Sequence, residues 1–332
     1  MSSSKCKGLD ATPFTTGTGQ TPMPKMIYGT AWKQYKTARY VYLALKAGFR
    51  GIDTAAQPRH YKESLVGRAV KRAIRDGIVK RSDLFIQTKF TPIDSQDLLD
   101  LPYDPLAPLA EQVHSSIASS LRNFDCLDRE KPYIDCLILH TPLDTFEDTL
   151  TVWKTLETYV PHTIRSLGIS NTPLRYVKQL CESPEITVLP ACVQNRFYVE
   201  NCWEREMRAY LRGKKIPFQA FWVLSGNPRL REFPPLKTIT TCAGTERPIA
   251  LYALVLGLGG TAVLDGTKDE AHMKEDIEGL QAVEDWSRTE KGHAIWVQCL
   301  EQFKEFIGEF HHVDMGDVQY VEKNSESIAI TR

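Results

Sequence analysis

The chain alternates short β-branched runs with amphipathic stretches, and this alternation restricts its fold more than any other feature. The candidate strands are Lys25–Tyr28, Arg50–Asp53, Leu84–Thr88, Ile134–Leu139, Ile164–Gly168, Ala191–Val193, Pro217–Ala220 and Thr261–Leu264. The candidate helices are Tyr35–Ala47, Glu63–Asp76, Leu106–Leu121, Phe146–Tyr159, Leu174–Glu182, Cys202–Arg212, Arg247–Leu256 and Lys268–Val283. No GxGxxG follows the first strand, which argues against an open doubly wound sheet. The pattern predicts an α/β protein with a closed (β/α)8 TIM barrel.

The length of 332 residues suits one barrel domain with a few additions. We predict a single domain over residues 1–332, with a barrel core at about 23–286 and a C-terminal extension at 287–332. A long loop, Phe90–Pro105, follows the third strand and is expected to form a wall of the substrate pocket. The extension carries one predicted helix, Ala294–Phe306, and then a polar end that is expected to fray.

Composition excludes several classes of partner. Basic and acidic residues number 41 each, so the formal net charge is zero and neither a nucleic acid nor a membrane surface is expected as a partner. The N-terminus has no apolar core of a signal peptide, and the longest apolar stretch, Ile249–Leu258, is too short to span a bilayer. The eight cysteines are scattered without zinc-ligand spacing, so we expect free thiols and no metal. These features predict a cytoplasmic protein, and without an exposed hydrophobic stripe we expect a monomer.

Polar residues close three of the predicted strands. Asp53, Lys89 and His140 end apolar runs, and Tyr61 lies shortly after Asp53. Because a parallel barrel collects the C-terminal ends of its strands around one pocket, these side chains are expected to meet. A tyrosine has a pKa of about 10, which a nearby ammonium would lower. A carboxylate keeps that lysine charged, and a histidine orients a carbonyl oxygen, so the set suits proton delivery to an oxygen that receives a hydride from a cofactor.

The chain resembles the aldo-keto reductase superfamily from about Met23 to Trp286. The resemblance lies in YGTAWK (Tyr28–Lys33), GFRGIDTA (Gly48–Ala55), HYKESLVGRAV (His60–Val70), LFIQTKF (Leu84–Phe90), YIDCLILHTP (Tyr133–Pro142), IRSLGISN (Ile164–Asn171) and VQNRFY (Val193–Tyr198). It implies a reductase of aldehydes or ketones that uses NADPH, with NADH as the alternative, and a small carbonyl compound as its substrate. The residues around Tyr61 are similar to a fungal branch of this family.

The resemblance also implies roles for individual residues. Tyr61 would be the general acid, Asp53 and Lys89 would lower its pKa, and His140 would orient the carbonyl. Ser170, Asn171 and Gln194 would hold the nicotinamide carboxamide, and Phe221 would stack on the nicotinamide ring. The other residues implied to contact the cofactor are Thr30, Leu224, Ser225, Gly266, Thr267, His272, Glu275 and Asp276. The substrate pocket would include Trp32, Phe90 and Trp222.

The chain departs from the family at the general acid. The family separates its aspartate from its tyrosine by four residues, and that spacing falls on Pro58, which cannot act as an acid. Seven residues separate Asp53 from Tyr61, which is the tyrosine near this position. Tyr61 is followed by a glutamate, as in the family. His60 is an alternative polar group in the same loop.

A second departure concerns the nucleotide phosphate. Gly266 and His272 occupy the positions of the lysine and arginine that grip the 2′-phosphate of NADPH in the family. Lys268, Lys274 or a protonated His272 could compensate. A charged hydrogen bond to phosphate is worth roughly 1.5–3 kcal/mol, so losing two would erase most discrimination between NADPH and NADH.

Other interpretations stay open at this point. Taken singly, Asp53 could cap a turn, Lys89 could be a solvated strand end, and the charges around Lys274 could be a solvated helix face. Two other functions are possible for the same barrel. One is a slow, cofactor-binding regulatory subunit similar to those of membrane channels, and the other is a Schiff-base lyase or aldolase that uses Lys89.

Overall fold

A computed structural model describes residues 9–10, 12–14, 22–125 and 131–309. Eight parallel strands close into a barrel in which each strand pairs with the next and the last pairs with the first. They are β1 Met26–Gly29, β2 Gly51–Asp53, β3 Phe85–Phe90, β4 Cys136–Leu139, β5 Leu167–Ser170, β6 Cys192–Arg196, β7 Phe218–Phe221 and β8 Thr261–Asp265. The predicted (β/α)8 barrel is therefore confirmed. Cys6, Cys126 and the polar end after residue 309 lie outside the described residues.

The helices surround the barrel. They are α1 Thr37–Ala47, α2 Glu63–Arg75, α3 Leu109–Asn123, α4 Phe146–Glu157, α5 Leu174–Glu182, α6 Arg205–Lys214, α7 Pro234–Ala243, α8 Arg247–Gly257, α9 Glu270–Ser287 and α10 Glu290–Phe306. All nine predicted helices are present, α5 with the predicted bounds and the others with one or both ends shifted, while α7 was not predicted. It begins with two prolines, which interrupt a helical pattern but are tolerated in a first helical turn, where the missing N–H would have no partner.

Most observed strands begin or end one or more residues later in the chain than predicted. β4 and β5 were predicted to begin at Ile134 and Ile164, but these two residues form only an isolated bridge before the strands start. β3 extends to Phe90, so Lys89 lies within the strand. The side-chain alternation of a strand therefore fixes the directions in which Lys89 and Phe90 point.

The lower barrel interior is packed with apolar side chains. They come from Met23, Ile27, Phe85, Cys136, Ile138, Cys192 and Ala262. The sulfurs of Cys136 and Cys192 lie 3.9 Å apart, as free thiols. Gly168 of β5 gives Cys192 its room, because a Cβ at Gly168 would lie 2.7 Å from the Cys192 sulfur.

The C-terminal extension packs on the outside of the barrel. Helix α10 contacts α7, α8 and α9, and it buries Trp296 and Phe303 there. The Phe303 ring lies 6.1 Å from that of Phe233. No helix among the described residues is long and apolar enough to cross a bilayer.

The loop after β3 is attached to the barrel at its base and exposed at its tip. The Tyr103 hydroxyl donates to the Thr91 carbonyl at 2.7 Å, and the Gln96 amide donates to the Ala56 carbonyl at 2.9 Å. Leu98 and Leu99 extend into solvent, and Leu99 is 96% exposed. The base of this loop is therefore well placed to hold side chains beside the strand ends, while its tip offers an apolar surface.

Candidate active site

Four predicted residues meet at the C-terminal end of the barrel, and we call them the catalytic cluster: Asp53, Tyr61, Lys89 and His140. Asp53 is the last residue of β2, Lys89 lies near the end of β3, and His140 follows β4 directly. Tyr61 lies in the segment between β2 and α2. Their positions follow from the parallel barrel, which brings the ends of successive strands together.

Asp53 and Lys89 form a buried ion pair. The Lys89 ammonium donates to Asp53 Oδ1 at 2.6 Å and to the Thr54 carbonyl at 2.9 Å. Both side chains are almost completely buried. An ammonium has three N–H donors, so one of them is left for another group. The ion pair holds the Lys89 ammonium in one position beside the end of β2.

Three buried glutamines support Asp53 from below. Gln87 and Gln194 donate to Asp53 Oδ1 at 2.7 and 3.0 Å, and both also donate to Gln219 Oε1. Gln219 donates in turn to Gln87 Oε1 at 2.8 Å. Hydrogen bonds from these amides orient the carboxylate without adding charge. Asp53 is thus fixed by Lys89 on one side and by this amide layer (Gln87, Gln194 and Gln219) on the other.

A short turn places Tyr61 despite the extra residues before it. The Gln57 carbonyl accepts hydrogen bonds from the backbone N–H of His60 and of Tyr61, at 3.3 and 3.0 Å. The turn is attached further through the Gln57 side chain, which donates to the Ser95 carbonyl. The Lys89 ammonium lies 5.1 Å from the centroid of the Tyr61 ring. The longer spacing is therefore absorbed in the turn, and Tyr61 reaches the cluster.

The pKa of Tyr61 is shifted opposite to the direction expected from the sequence. Burial raises the pKa of the phenol, and the negative charge of Asp53 raises it further. The expected lowering by Lys89 is outweighed, because Asp53 neutralises the ammonium and the phenol is removed from water. Tyr61 consequently holds its proton at neutral pH, as a proton donor must.

His140 is held as a neutral imidazole. Burial lowers its pKa well below the usual value, and the positive charges of Lys89 and His60 lower it further. Its Nδ1 lies 2.7 Å from the Thr91 hydroxyl oxygen. Its ring stands edge-on to that of Tyr61 with the centroids 6.0 Å apart. A neutral imidazole beside a phenol can donate one hydrogen bond to a carbonyl oxygen placed between them.

The residues expected to hold a carboxamide lie together beside His140. Asn171, with a left-handed φ of 49°, donates to the His140 carbonyl at 2.9 Å and to the Ser170 hydroxyl at 3.1 Å. The Ser170 hydroxyl donates to the Gln194 carbonyl at 2.7 Å. Both amide hydrogens of Gln194 are used by Asp53 and Gln219, so a ligand amide could be received only by the oxygen of Gln194.

The last residue of β7 and the residues that follow it form an aromatic surface at the mouth of the site. Phe221 is half-buried and Trp222 is exposed, and their rings are roughly perpendicular with centroids 6.2 Å apart. The Arg196 guanidinium lies 4.7 Å from the Trp222 ring centroid. Leu224 is half-buried and Ser225 is exposed in the following loop. This surface can stack against a flat ring.

Thr30, which was also expected to contact a cofactor, lies against the end of β2. It is completely buried, and both its hydroxyl and its backbone N–H donate to the Asp53 carbonyl, at 2.9 and 3.0 Å. These bonds join the end of β1 to the end of β2. The structure therefore shows Thr30 as a support of Asp53.

Two residues that were expected to line the substrate pocket, Trp32 and Phe90, occupy different environments. Trp32 is 59% exposed at the mouth, where its ring lies 3.9 Å from that of His60. Phe90 is only 1% exposed and packs against Tyr103 in the core between barrel and helices. Neighbouring residues of a strand point to opposite faces, so Phe90 points outward because Lys89 points inward. The expectation that Phe90 lines the pocket is corrected accordingly.

The region expected to bind the nucleotide phosphate is residues 266–276, and we call it the nucleotide edge. Gly266, Lys268, His272, Lys274 and Glu275 are exposed, and Thr267 is half-buried. Asp269 caps helix α9 by accepting from the N–H groups of Ala271 and His272. A carboxylate thus already occupies the helix N-terminus, where a phosphate would otherwise be favoured.

A buried lysine approaches this edge from below. The Lys33 ammonium donates to the Gly266 carbonyl at 3.0 Å and lies 4.7 Å from the centroid of the Tyr28 ring. Burial lowers the pKa of Lys33 to about 8, partly offset by the charge of Asp265. Lys33 is therefore a cation at neutral pH. The comparison of residues 266–276 with the family pattern did not identify this lysine.

Two buried carboxyl groups lie under the nucleotide edge. Asp265 accepts from the Thr267 N–H at 3.0 Å and from the Tyr252 hydroxyl at 3.2 Å. Burial and the neighbouring charge of Asp265 raise the pKa of Asp276 to about 9. Asp276 is consequently a neutral carboxylic acid at pH 7, and it is buried, whereas Glu275 beside it is exposed.

Several residues of the site were missed from the sequence. Gln87, Gln219 and Thr91 each contact a member of the catalytic cluster or its amide layer. A weak signal was present, since Gln87 lies two residues before Lys89 and Gln219 two residues before Phe221, on the same faces of their strands. Within the described ranges, no group of His, Cys, Asp and Glu is arranged to hold a metal ion.

Comparison with known proteins establishes the class. The Aldo/keto reductase family matches residues 16–233, which is more than half of the chain. An NAD(P)H-dependent D-xylose reductase of Pachysolen tannophilus is 27% identical over 247 residues, 64% of this chain and 70% of that protein. An aldo-keto reductase family 1 protein of Equus caballus is 28% identical over 279 residues, 73% of this chain and 77% of that protein. The chain belongs to the aldo/keto reductase family and is an oxidoreductase.

The fold is shared with a solved structure. An aldo/keto reductase from Brucella melitensis superposes with a TM-score of 0.67 over 88% of this chain and 98% of its own, at 21% identity. At that identity the likeness shows the fold alone. Yeast and mammalian relatives match at similar identity, so the assignment to a fungal branch stays a prediction.

Proposed function

We propose that this protein reduces an aldehyde or ketone to an alcohol, with Tyr61 as the proton donor. The observation that carries the proposal is the buried Asp53–Lys89 ion pair, whose ammonium lies 5.1 Å from the centroid of the Tyr61 ring. Family membership supports carbonyl reduction as the reaction. The four side chains supply an acid, a cation that stabilises its conjugate base, and a neutral hydrogen-bond donor.

The roles follow from the charges of the site. A reduced nicotinamide nucleotide, when bound, would supply the hydride from its C4 atom. His140 would donate a hydrogen bond to the carbonyl oxygen and thereby orient it. Tyr61 would transfer its proton to the oxygen as negative charge develops there. Lys89 would then stabilise the tyrosinate, using the N–H that Asp53 and Thr54 leave free.

The nicotinamide end of such a cofactor fits the residues present. The half-buried Phe221 ring offers a stacking face, and the side-chain oxygens of Ser170, Asn171 and Gln194 offer acceptors for a carboxamide N–H. At the other end, a Cβ at Gly266 would meet nothing within 4 Å, so the backbone there is open to a ligand. The family therefore supports NADPH as the first cofactor to test.

NADH is the alternative, and the acidic groups favour it. Asp269 occupies the N-terminus of α9, and Asp265 is buried beneath the same edge. Asp276, at the position of the family's asparagine, is buried beside Asp265, and this neighbour together with burial raises its pKa to about 9. The cations at the edge, Lys268 and Lys274, are exposed and weakened by solvent.

The substrate we propose is a hydrophobic or aromatic carbonyl compound. Trp32 and Trp222 are exposed at the mouth, and Leu98 and Leu99 extend from the neighbouring loop. A Schiff-base reaction at Lys89 is disfavoured, because its nitrogen is already held by Asp53 at 2.6 Å and by the Thr54 carbonyl at 2.9 Å. Action as a cytoplasmic monomer stays a prediction.

The test combines binding and turnover. We expect NADPH or NADH to quench the fluorescence of Trp32 and Trp222, and an aromatic aldehyde to oxidise the bound nucleotide in a stopped-flow experiment. Tyr61→Phe should keep nucleotide binding and lower the hydride-transfer rate by about 10²–10⁴-fold. His60→Gln is the matched control, since it changes the alternative acid in the same turn.

The outcomes separate the hypotheses. An unchanged rate in Tyr61→Phe together with a large loss in His60→Gln would transfer the acid role to His60. Binding without oxidation by any carbonyl compound would favour the regulatory subunit. Absence of nucleotide binding would overturn the proposed function.

A further inference from the structure

The Thr91 hydroxyl has a single partner among the described residues, the imidazole of His140. Thr91 follows β3, is completely buried, and places its hydroxyl oxygen 2.7 Å from His140 Nδ1. Its backbone carbonyl is held separately, by the Tyr103 hydroxyl at 2.7 Å and the Gln96 amide at 3.2 Å. The side chain is therefore fixed by the base of the loop after β3.

The imidazole itself is also fixed on its backbone side. The His140 N–H donates to the Phe90 carbonyl at 2.9 Å, and the His140 carbonyl accepts from Asn171 at 2.9 Å. These bonds fix the backbone from which the ring extends, but they do not determine which ring nitrogen carries the proton. In the described structure Nε2 has no protein partner, and the ring stands edge-on to Tyr61.

The direction of the hydrogen bond between Thr91 and His140 decides which nitrogen carries the proton. If Nδ1 donated to Thr91, the Thr91 hydroxyl hydrogen would have no acceptor in a position sealed from water, which is unfavourable. If Thr91 donates to Nδ1, every group is satisfied and the imidazole proton must lie on Nε2. A hydroxyl can rotate to make this choice, whereas the neutral ring has only two alternatives.

We propose that Thr91 is a positioning residue that fixes the Nε2–H tautomer of His140, so that the ring presents a donor to the substrate carbonyl. This inference rests on the proposed function for the use of that donor. The tautomer is a property of the free protein and is tested without substrate or cofactor. Thr91 acts through His140 and touches no reacting atom.

The test is long-range ¹H–¹⁵N NMR of the protein labelled with ¹⁵N-histidine, with the His140 signals assigned from a His140→Gln sample. The chain has eight histidines, so the spectrum is tractable. We expect the wild type to show the Nε2–H tautomer, Thr91→Val to lose it as the sole form, and Thr91→Ser to restore it. In turnover with an aromatic aldehyde, Thr91→Val should lower kcat about tenfold with little change in KM. This loss is smaller than the roughly 10²–10⁴-fold contribution of a general acid, because Thr91 acts only through His140.

Thr172→Val is the matched control. Thr172 is also buried at the end of a strand, but its hydroxyl has no hydrogen-bond partner, so losing it should change neither the tautomer nor kcat. An Nδ1–H tautomer in the wild type would overturn the proposal, and so would a Thr91→Val spectrum that matches the wild type. Failure of Thr91→Ser to restore the tautomer would assign the effect to packing and also overturn it. A retained tautomer effect without any carbonyl reduction would instead refute the proposed function alone.

Discussion

The catalytic cluster and the nucleotide edge lie at the same end of one barrel, yet they are built in opposite ways. In the cluster, Asp53 accepts from the buried side chains of Lys89, Gln87 and Gln194 within 3.0 Å, while Tyr61 and His140 are half-buried. At the edge the cations Lys268 and Lys274 are exposed, and the buried groups beneath them are carboxyls.

The difference reflects what each region has to do. A proton donor needs a defined pKa, and that requires fixed partners in a site from which water is excluded. A phosphate can be bound by any cation that reaches it, because an exposed lysine is a flexible point charge. Residue type and strand position therefore predict the catalytic cluster well. Correspondence to the family's sequence positions predicts poorly which cation at the nucleotide edge would bind a phosphate.

The largest effect is expected from Lys89→Met. The substitution leaves Asp53 buried without its cation, which should lower the free energy of unfolding by about 3–5 kcal/mol. It also removes the group that stabilises the tyrosinate, so we expect hydride transfer to slow at least about 100-fold. Urea denaturation and stopped-flow turnover measure the two quantities.

The double variant Asp53→Asn/Lys89→Met sharpens this result. It removes the uncompensated charge, so stability should recover in part while turnover stays low. Lys268→Met is the control at the nucleotide edge, where an exposed cation should change stability by less than about 0.5 kcal/mol. Equal losses of stability in Lys89→Met and Lys268→Met would remove the contrast between the two regions.

A smaller change is expected when the family's lysine is introduced at the edge. Gly266→Lys meets open space, and a contact between its ammonium and the 2′-phosphate is worth about 1.5–3 kcal/mol. The affinity ratio of NADPH to NADH should therefore rise about tenfold or more. Fluorescence titration with each nucleotide gives the ratio, and Gly266→Ala controls for the added Cβ. Equal tightening of both nucleotides would show that this position does not face the 2′-phosphate.

Asp276→Asn tests the buried carboxyl pair through pH. The pKa of Asp276 is about 9 in the folded protein and near 3.8 when exposed, so the folded state binds the extra proton between these values. The stability contributed by this carboxyl consequently falls as the pH rises from about 4 to about 9. The variant lacks this loss, and we expect it to be more stable than the wild type by about 0.5–2 kcal/mol at pH 8 and to gain less at pH 5.

Urea denaturation at the two pH values measures this difference. Glu275→Gln is the control, because its exposed neighbouring carboxylate should give no pH-dependent gain. A stability difference in Asp276→Asn that is the same at both pH values would show that Asp276 is ionised in the folded protein.

The smallest effect is expected for Lys274→Ala. Its ammonium lies 3.6 Å from a Glu278 carboxylate oxygen on an exposed helix face. Such a pair contributes less than about 0.5 kcal/mol, so unfolding should be almost unchanged. A selective loss of NADPH affinity in this variant would identify Lys274 as a phosphate contact. The nucleotide edge would then bind the 2′-phosphate with a lysine, as the family does.

The sequence predicted the barrel and the positions of Asp53, Lys89 and His140 because a polar residue at the end of an apolar strand is rare and informative. The amide layer was not predictable, since Gln87 and Gln219 form a network only when β3 and β7 face each other across the barrel. The side of Phe90 was in principle predictable. Lys89 fixes it through strand alternation, but the predicted strand ended one residue before Lys89.

The charge states of the site were beyond the sequence for a physical reason. The pKa of Tyr61 depends on how completely the phenol is buried, and the pKa of Asp276 depends on Asp265 in a different element. Neither burial nor such a distance between elements can be obtained from residue types alone. Helix α7 was missed although it begins with two prolines, which are typical of a first helical turn.

The turn before Tyr61 has a consequence for protein engineering. Its geometry is set at both ends: the Gln57 carbonyl gathers two N–H groups, and the His60 carbonyl accepts from the Trp32 N–H at 2.8 Å. Residues 58 and 59 lie between these anchors. Libraries that vary the residue types at positions 58 and 59 and keep the length should therefore reshape the entrance to the barrel without displacing the tyrosine.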